Sequence, residues 1–257
     1  MASREAHLDQ LHKHEKNVNR DFGIRNLIQT KSHTERLASV EKDPEYLKWL
    51  ESPDSGPFVL LGNNFVTRAS HCWLSSMACR LIETKTTASP SSCVFYLLGQ
   101  QETEDTCVKV MSAVVFRLLS LNKTILRKEE YYTELCAGLQ LYQQLSCSTE
   151  DKSREMQRLL KDVAVKVANM LDEDTTIWIM LDRVDKCRAP PSRRKTHHHH
   201  RRDGLALLEI SLHLVEQSKT RIKVLAVVNK SDWRTEGVED DLDQTREGSF
   251  VLLKCDQ

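Results

Sequence analysis

Five short apolar runs, each nearly continuous rather than alternating, most constrain what this chain can become. They are Phe58–Leu61 (FVLL), Cys93–Leu98 (CVFYLL), Thr175–Asp182 (TTIWIMLD), Ile222–Asn229 (IKVLAVVN) and Ser249–Cys255 (SFVLLKC). A strand solvated on one face alternates apolar and polar residues, whereas a strand covered on both faces is apolar at successive positions. Helical spacings fill the intervals, at His71–Ile82, Glu104–Leu121, Lys128–Leu145, Lys152–Leu171 and Leu205–Gln217. In the second of these, Val110, Val114 and Leu118 recur at helical period, flanked by Cys107, Met111 and Leu119. Strands separated by helices and apolar on both faces predict an α/β fold, a three-layer sandwich with a five-stranded, mainly parallel sheet.

Residues 1–53 read as a helical N-terminal segment, charged at first, with Leu8 and Leu11 as its main apolar pair, and ending in the short amphipathic helix EYLKWLES. The turn SPDSGP then delivers the chain into the first strand, so the sheet domain spans 54–257. Within it RAPPSRRKTHHHHRR, residues 188–202, is expected to be a flexible basic loop, because Pro190-Pro191 bars a helix and nothing apolar follows.

Lysine plus arginine (37) equals aspartate plus glutamate (37), which removes any global electrostatic case for nucleic acid or acidic lipid. None of the eight cysteines forms a CxxC pair and several fall inside apolar segments, which suits buried thiols in a reducing compartment. Neither an apolar leader core nor a stretch of membrane-spanning length is present, so the expected location is the cytoplasm.

The first strand stops at a glycine and opens onto a helical pattern: FVLLGNNFVTRAS. That is the place of a P-loop, GxxxxGK[ST], in which glycines let backbone N–H groups curl round phosphates, lysine neutralises them and a hydroxyl ligates magnesium. Gly62 holds the first glycine position, but Thr67 replaces the second glycine, Arg68 the lysine and Ala69 the hydroxyl residue. Arginine keeps the charge on a bulkier planar group, and Ala69 removes a metal ligand. The strand TTIWIMLD ends in Asp182, with a second acid at Asp185. In an ATPase the first such carboxylate holds magnesium through water, and a following acid can polarise the attacking water.

Taken together, strand-Gly…Arg-helix, then LDRVDKC, then KVLAVVNKSD resemble the NACHT or STAND-type P-loop NTPases abundant in fungi, whose second motif commonly reads LDALDEC. The resemblance covers roughly 25–255 and is specific in order and spacing. It implies a strand order of 5-1-4-3-2, counting the five strands along the chain. It implies a nucleotide site of Gly62, Asn63, Thr67, Arg68 and Ala69, with Asp182 as metal ligand, Asp182 and Asp185 as the catalytic acids, and Asn229 where a sensor arginine usually stands. ATP or GTP with magnesium would be the ligand. The departures at Thr67, Arg68, Ala69, Arg183, Lys186 and Asn229 argue against catalysis. The function expected is therefore a degenerate, hydrolysis-deficient regulatory module that acts through protein partners or self-association. The alternative is a weak but active ATPase or GTPase that uses Arg68 with Asp182 and Asp185.

Three other patterns are weaker. Asn229-Lys230-Ser231-Asp232 matches the guanine-reading NKxD after a buried strand, but no DxxG accompanies it, and a polar strand end explains it as well. His197–His200 could chelate a transition metal, yet the flanking arginines make an electropositive loop without a carboxylate. The same loop has no interleaved aromatics for stacking on bases. For nucleophilic catalysis, His71 and Cys72 are adjacent and so point apart on a helix.

Overall fold

The computed structural model describes residues 34–62, 73–89, 92–99, 105–122, 127–146, 152–188, 203–230, 233 and 251–255. Two short helices lead in, α1 (Thr34–Glu41) and α2 (Pro44–Glu51), followed by β1 (Gly56–Gly62), α3 (Trp73–Ala88) and β2 (Cys93–Leu97). A two-residue strand β3 (Asp105–Thr106) runs into α4 (Cys107–Leu121), then α5 (Glu129–Ser146) and α6 (Ser153–Asn169). Next come β4 (Ile177–Asp182), a 3-10 turn at Val184–Lys186, and β5 (Cys187–Arg188). Helix α7 (Asp203–Gln217), β6 (Ile222–Asn229) and β7 (Val251–Cys255) complete the described elements.

Five strands form one sheet in the order β2-β4-β6-β1-β7, and every pair in it is parallel. Numbered along the chain, that is the order 5-1-4-3-2 that the resemblance implies. Parallel strands joined by helical crossovers must be covered on both faces, and successive residues of each strand do enter opposite cores. On one face Val59, Leu61, Ile179, Leu181, Val224 and Ala226 pack under α4, α6 and α7, with α5 reaching this core through Leu135 and Leu139. On the other, Phe58, Leu60, Trp178, Met180, Leu225 and Val227 pack under α1, α2 and α3.

Helix α2 starts where Asp43 accepts hydrogen bonds from the backbone N–H groups of Glu45 and Tyr46, with Pro44 in the first turn, where its missing N–H costs nothing. It ends against the sheet. Trp49 stacks 5.0 Å from the Phe58 ring and meets Trp178 edge-on at 5.7 Å, and its Nε1 donates to the Gly56 carbonyl at 3.0 Å. Strand β6 contributes a lysine to this core. Lys223, only 2 % exposed, donates from Nζ to the carbonyls of Trp49 and Leu50 at the end of α2. Those carbonyls are otherwise short of partners and carry the negative end of the helix dipole, so an ammonium is the group that suits them. The Trp178 ring lies 5.3 Å from the Lys223 ammonium and 3.9 Å from that of Lys85.

Burial, with Lys85 and Arg221 adding to it and Asp54 opposing, lowers Lys223 from 10.5 to about 8. Above about pH 8 the folded chain releases a proton that the unfolded chain keeps until 10.5, so this group's penalty on folding fades as pH rises through that window. Stability measured by urea unfolding should therefore climb across it. Lys223→Met should flatten that slope, and an unchanged slope would mean that Lys223 does not titrate there.

Five of the six described cysteines are buried, and burial pushes the Cys93 thiol up to about 12 against the pull of Arg117 and Lys85. A thiol of that kind is a small hydrophobe rather than a nucleophile. Among the described residues, no helix is long and apolar enough to cross a membrane.

Candidate functional site

In an open parallel sheet, the carboxyl ends of the strands form the crevice where ligands bind. Four of the candidates, Gly62, Asp182, Asp185 and Asn229, come together there. The β1–β6 register sets Gly62 opposite Asn229, and β4, on the other side of β6, ends at Asp182. Asp182 stands level with Val227, two residues short of Asn229, so Gly62 and Asp182 are separated by two strand spacings and two residue rises, roughly 12 Å. The other members of the expected phosphate loop, Asn63, Thr67, Arg68 and Ala69, lie outside the described residues, as do Ser231, Asp232 and His197–His200.

Gly62 is a packing glycine. A Cβ there would stand 2.9 Å from Leu74 Cδ1 and 3.0 Å from the Cys255 carbonyl oxygen, so neither α3 nor β7 could lie as close as it does. Its own carbonyl accepts from the Lys230 N–H at 2.9 Å, which continues the β1–β6 ladder by one residue. Gly62→Ala should destabilise the fold by about 1–3 kcal/mol, the usual cost of overpacking. Thermal unfolding without any ligand would detect this, and a loss seen only with nucleotide bound would make Gly62 a phosphate contact instead.

The acid that follows β4, Asp185, is held by an arginine. Directly after Asp182, which is fully buried, Arg183 takes the left-handed conformation (φ 62°, ψ 50°), the one non-glycine residue with positive φ among those described. Such a conformation costs an ordinary residue about 1–2 kcal/mol. It turns the Arg183 side chain back over the 3-10 turn to meet Asp185, and both side chains are fully buried. Arg183 Nη2 donates to Asp185 Oδ2 at 2.9 Å, and Nε lies 3.1 and 3.2 Å from Oδ2 and Oδ1. Asp185 Oδ1 also accepts from the Asn229 N–H at 2.8 Å. Asp185 therefore clasps the end of β4 to the end of β6. The charge-assisted, two-pronged geometry is what makes so deeply buried a pair tolerable.

Two further groups pack this edge, and sequence inspection did not single out either. Trp233, 5 % exposed, donates from its backbone N–H to the Asn229 carbonyl at 3.1 Å. Its ring lies over Gly204 at the start of α7, where a Cβ would come within 2.8 Å of it. Asp105, 3 % exposed, accepts from Tyr96 OH at 2.8 Å and from the Gly99 N–H at 2.7 Å, and pairs with Lys109 at 2.8 Å. The short β3–β5 ladder, Asp105 opposite Cys187, staples the segment after β2 to the segment after β4. One acid among the several of GQQETEDT carries no sequence signal for such a role.

Asp185 does not fit as a magnesium ligand. Magnesium asks for oxygen ligands in near-ideal octahedral geometry at about 2.0–2.1 Å. Asp185 has its oxygens directed to Arg183 and Asn229, and a fixed guanidinium charge stands beside it. Among the described residues, no cluster of three or more His, Cys, Asp or Glu side chains could hold a metal ion. Chemically, Arg183 balances the charge of Asp185 within the fold, so this acid is tied into the strand edge. No protein-family model, curated protein or solved structure matches the chain.

Proposed function

We propose that this chain is a degenerate nucleotide-binding, regulatory module of the STAND type, deficient in hydrolysis, which works through protein partners or self-association. The observation that carries this is the engagement of Asp185. In a working site the second acid faces the attacking water, whereas here its carboxylate is turned inward onto Arg183 and the Asn229 N–H. Support for the nucleotide half comes from the parallel sheet in the order β2-β4-β6-β1-β7, with Gly62, Asp182 and Asn229 at one edge. The altered phosphate loop, with Arg68 for lysine and Ala69 for the hydroxyl residue, supports the loss of turnover.

Calorimetric titration of the nucleotide-free protein with ATP and with GTP tests both halves. Micromolar affinity, about −8 kcal/mol, with no phosphate release over the uncatalysed rate is the expected result. Turnover that Asp182→Ala abolishes would make the protein an ATPase or GTPase instead. No heat up to millimolar ligand would leave a protein-binding scaffold that never meets nucleotide.

A further inference from the structure

The sheet ends in two edge strands, and they are covered very differently. β2, at one edge, is buried at all five of its positions. At the other edge, Val251, Leu252 and Leu253 of β7 are each half-buried, and Lys254 is exposed. Alternate residues turn to opposite faces, so Val251 and Leu253 lean on the core beneath α2 while Leu252 leans on the other core. Among the described residues β7 pairs with β1 alone, in an unbroken register, which leaves a row of backbone N–H and C=O groups along its outer side. Proteins guard such an edge with charge, proline or a bulge. On β7 the guard is one lysine near the end, after three successive apolar residues.

Whatever completes this edge must be a strand, to satisfy the backbone groups. It must also be apolar on both faces, to cover Leu252 on one side and Val251 with Leu253 on the other. β7 is itself such a strand. Set antiparallel to a second copy about a two-fold axis at Leu252, it brings Leu252 opposite Leu252 and Val251 opposite Leu253, both apolar cross-strand pairs. The two Lys254 side chains then start four residue rises apart along the seam, roughly 14 Å. That exceeds the screening length of about 8 Å at physiological salt, so the lysines do not oppose the pairing.

We infer that the outer edge of β7 is a self-association surface, on which a second copy of this chain adds its own β7 in antiparallel register and joins the two sheets into one. This rests on the self-association half of the function proposed above, for which it names the contact, and is independent of the nucleotide half.

Sedimentation equilibrium of the full chain, from micromolar to submillimolar concentration, is the first test, and a species of twice the 29.6 kDa chain mass is expected. A monomer throughout overturns the inference and removes the self-association half of the proposed function, leaving protein partners. Charge placed at the two-fold axis then locates the contact. Leu252→Lys and Leu252→Glu each set like charges against one another, so each alone should raise the dimer dissociation constant by about tenfold or more, whereas an equimolar mixture of the two should dimerise again. Dimers that neither variant weakens overturn the β7 edge as the contact and leave self-association standing through another face. Should the variants not fold, or weaken without recovering together, hydrogen exchange on the wild type decides. Amides of residues 251–255 are expected to slow as concentration rises through the dimerisation range, and slowing confined to other segments overturns the inference.

Discussion

Arg183→Met is expected to lower the free energy of unfolding by about 3–5 kcal/mol, the cost of leaving a buried charge without its partner. The methionine fills much of the arginine's volume, so the loss reports the Asp185 carboxylate stranded beneath Asn229 rather than a cavity. Adding Asp185→Asn removes that charge while keeping an oxygen for the Asn229 N–H, and the double variant should regain much of what the single one loses. Urea unfolding with an unchanged m-value is the measurement. Strictly additive losses would show that the two side chains are not one unit. The backbone gives a second handle on the same residue. Arg183→Gly should be milder than Arg183→Ala by about 1 kcal/mol, because only glycine takes a positive φ without steric cost.

Trp49→Ala should cost about 3–5 kcal/mol, the range for emptying a buried indole site. The indole touches Phe58 of β1 and Trp178 of β4, and its N–H holds the Gly56 carbonyl. Its loss also loosens the end of α2, whose carbonyls Lys223 engages. Differential scanning calorimetry should show one cooperative transition at lower temperature. A separate early transition for α1 and α2, with the sheet unaffected, would mean that these helices are an appendage. The shared core argues otherwise: Leu37 and Val40 of α1, with Tyr46 and Trp49 of α2, belong to the same cluster as Phe58 and Leu225.

How far the sequence reveals this molecule depends on the range of the interaction. IKVLAVVN reads as a buried strand from its own letters, and the strand observed there, Ile222–Asn229, has the same ends. Helix ends are less legible. The apolar period predicts Glu104–Leu121, whereas Asp105 and Thr106 are a strand and Thr106 caps the helix by accepting from the Lys109 N–H. Lys223 inside that same strand is opaque from sequence, since the carbonyls that justify it are more than 170 positions away, at separations of 174 and 173. Arg183 is a middle case. That a positive charge sits among the acids is plain from LDRVDKC, but which acid it takes depends on one left-handed residue, and no local propensity calls for arginine there. Gly62 carries a packing constraint that its motif position does not reveal. The letter fits a phosphate cradle, and the room a Cβ would need is already filled by Leu74 and Cys255.

The place of β1 in the sheet sets the order in which the protein can be made. β1 is flanked by β6 and β7, the last two of the described strands along the chain, and its pairing of Gly56 with Lys223 closes a loop of 167 residues. A ribosome adding about 5–20 residues per second needs roughly 8–33 seconds to bridge that gap. Throughout that interval Phe58–Leu61 is an apolar strand with both edges open, a state prone to pairing with the wrong partner. The lead-in helices are already outside the ribosome by then. With Trp49 against Phe58, they are the only described elements upstream of β1 that can shield it, which makes α1 and α2 nursemaids to the strand before they are part of its core.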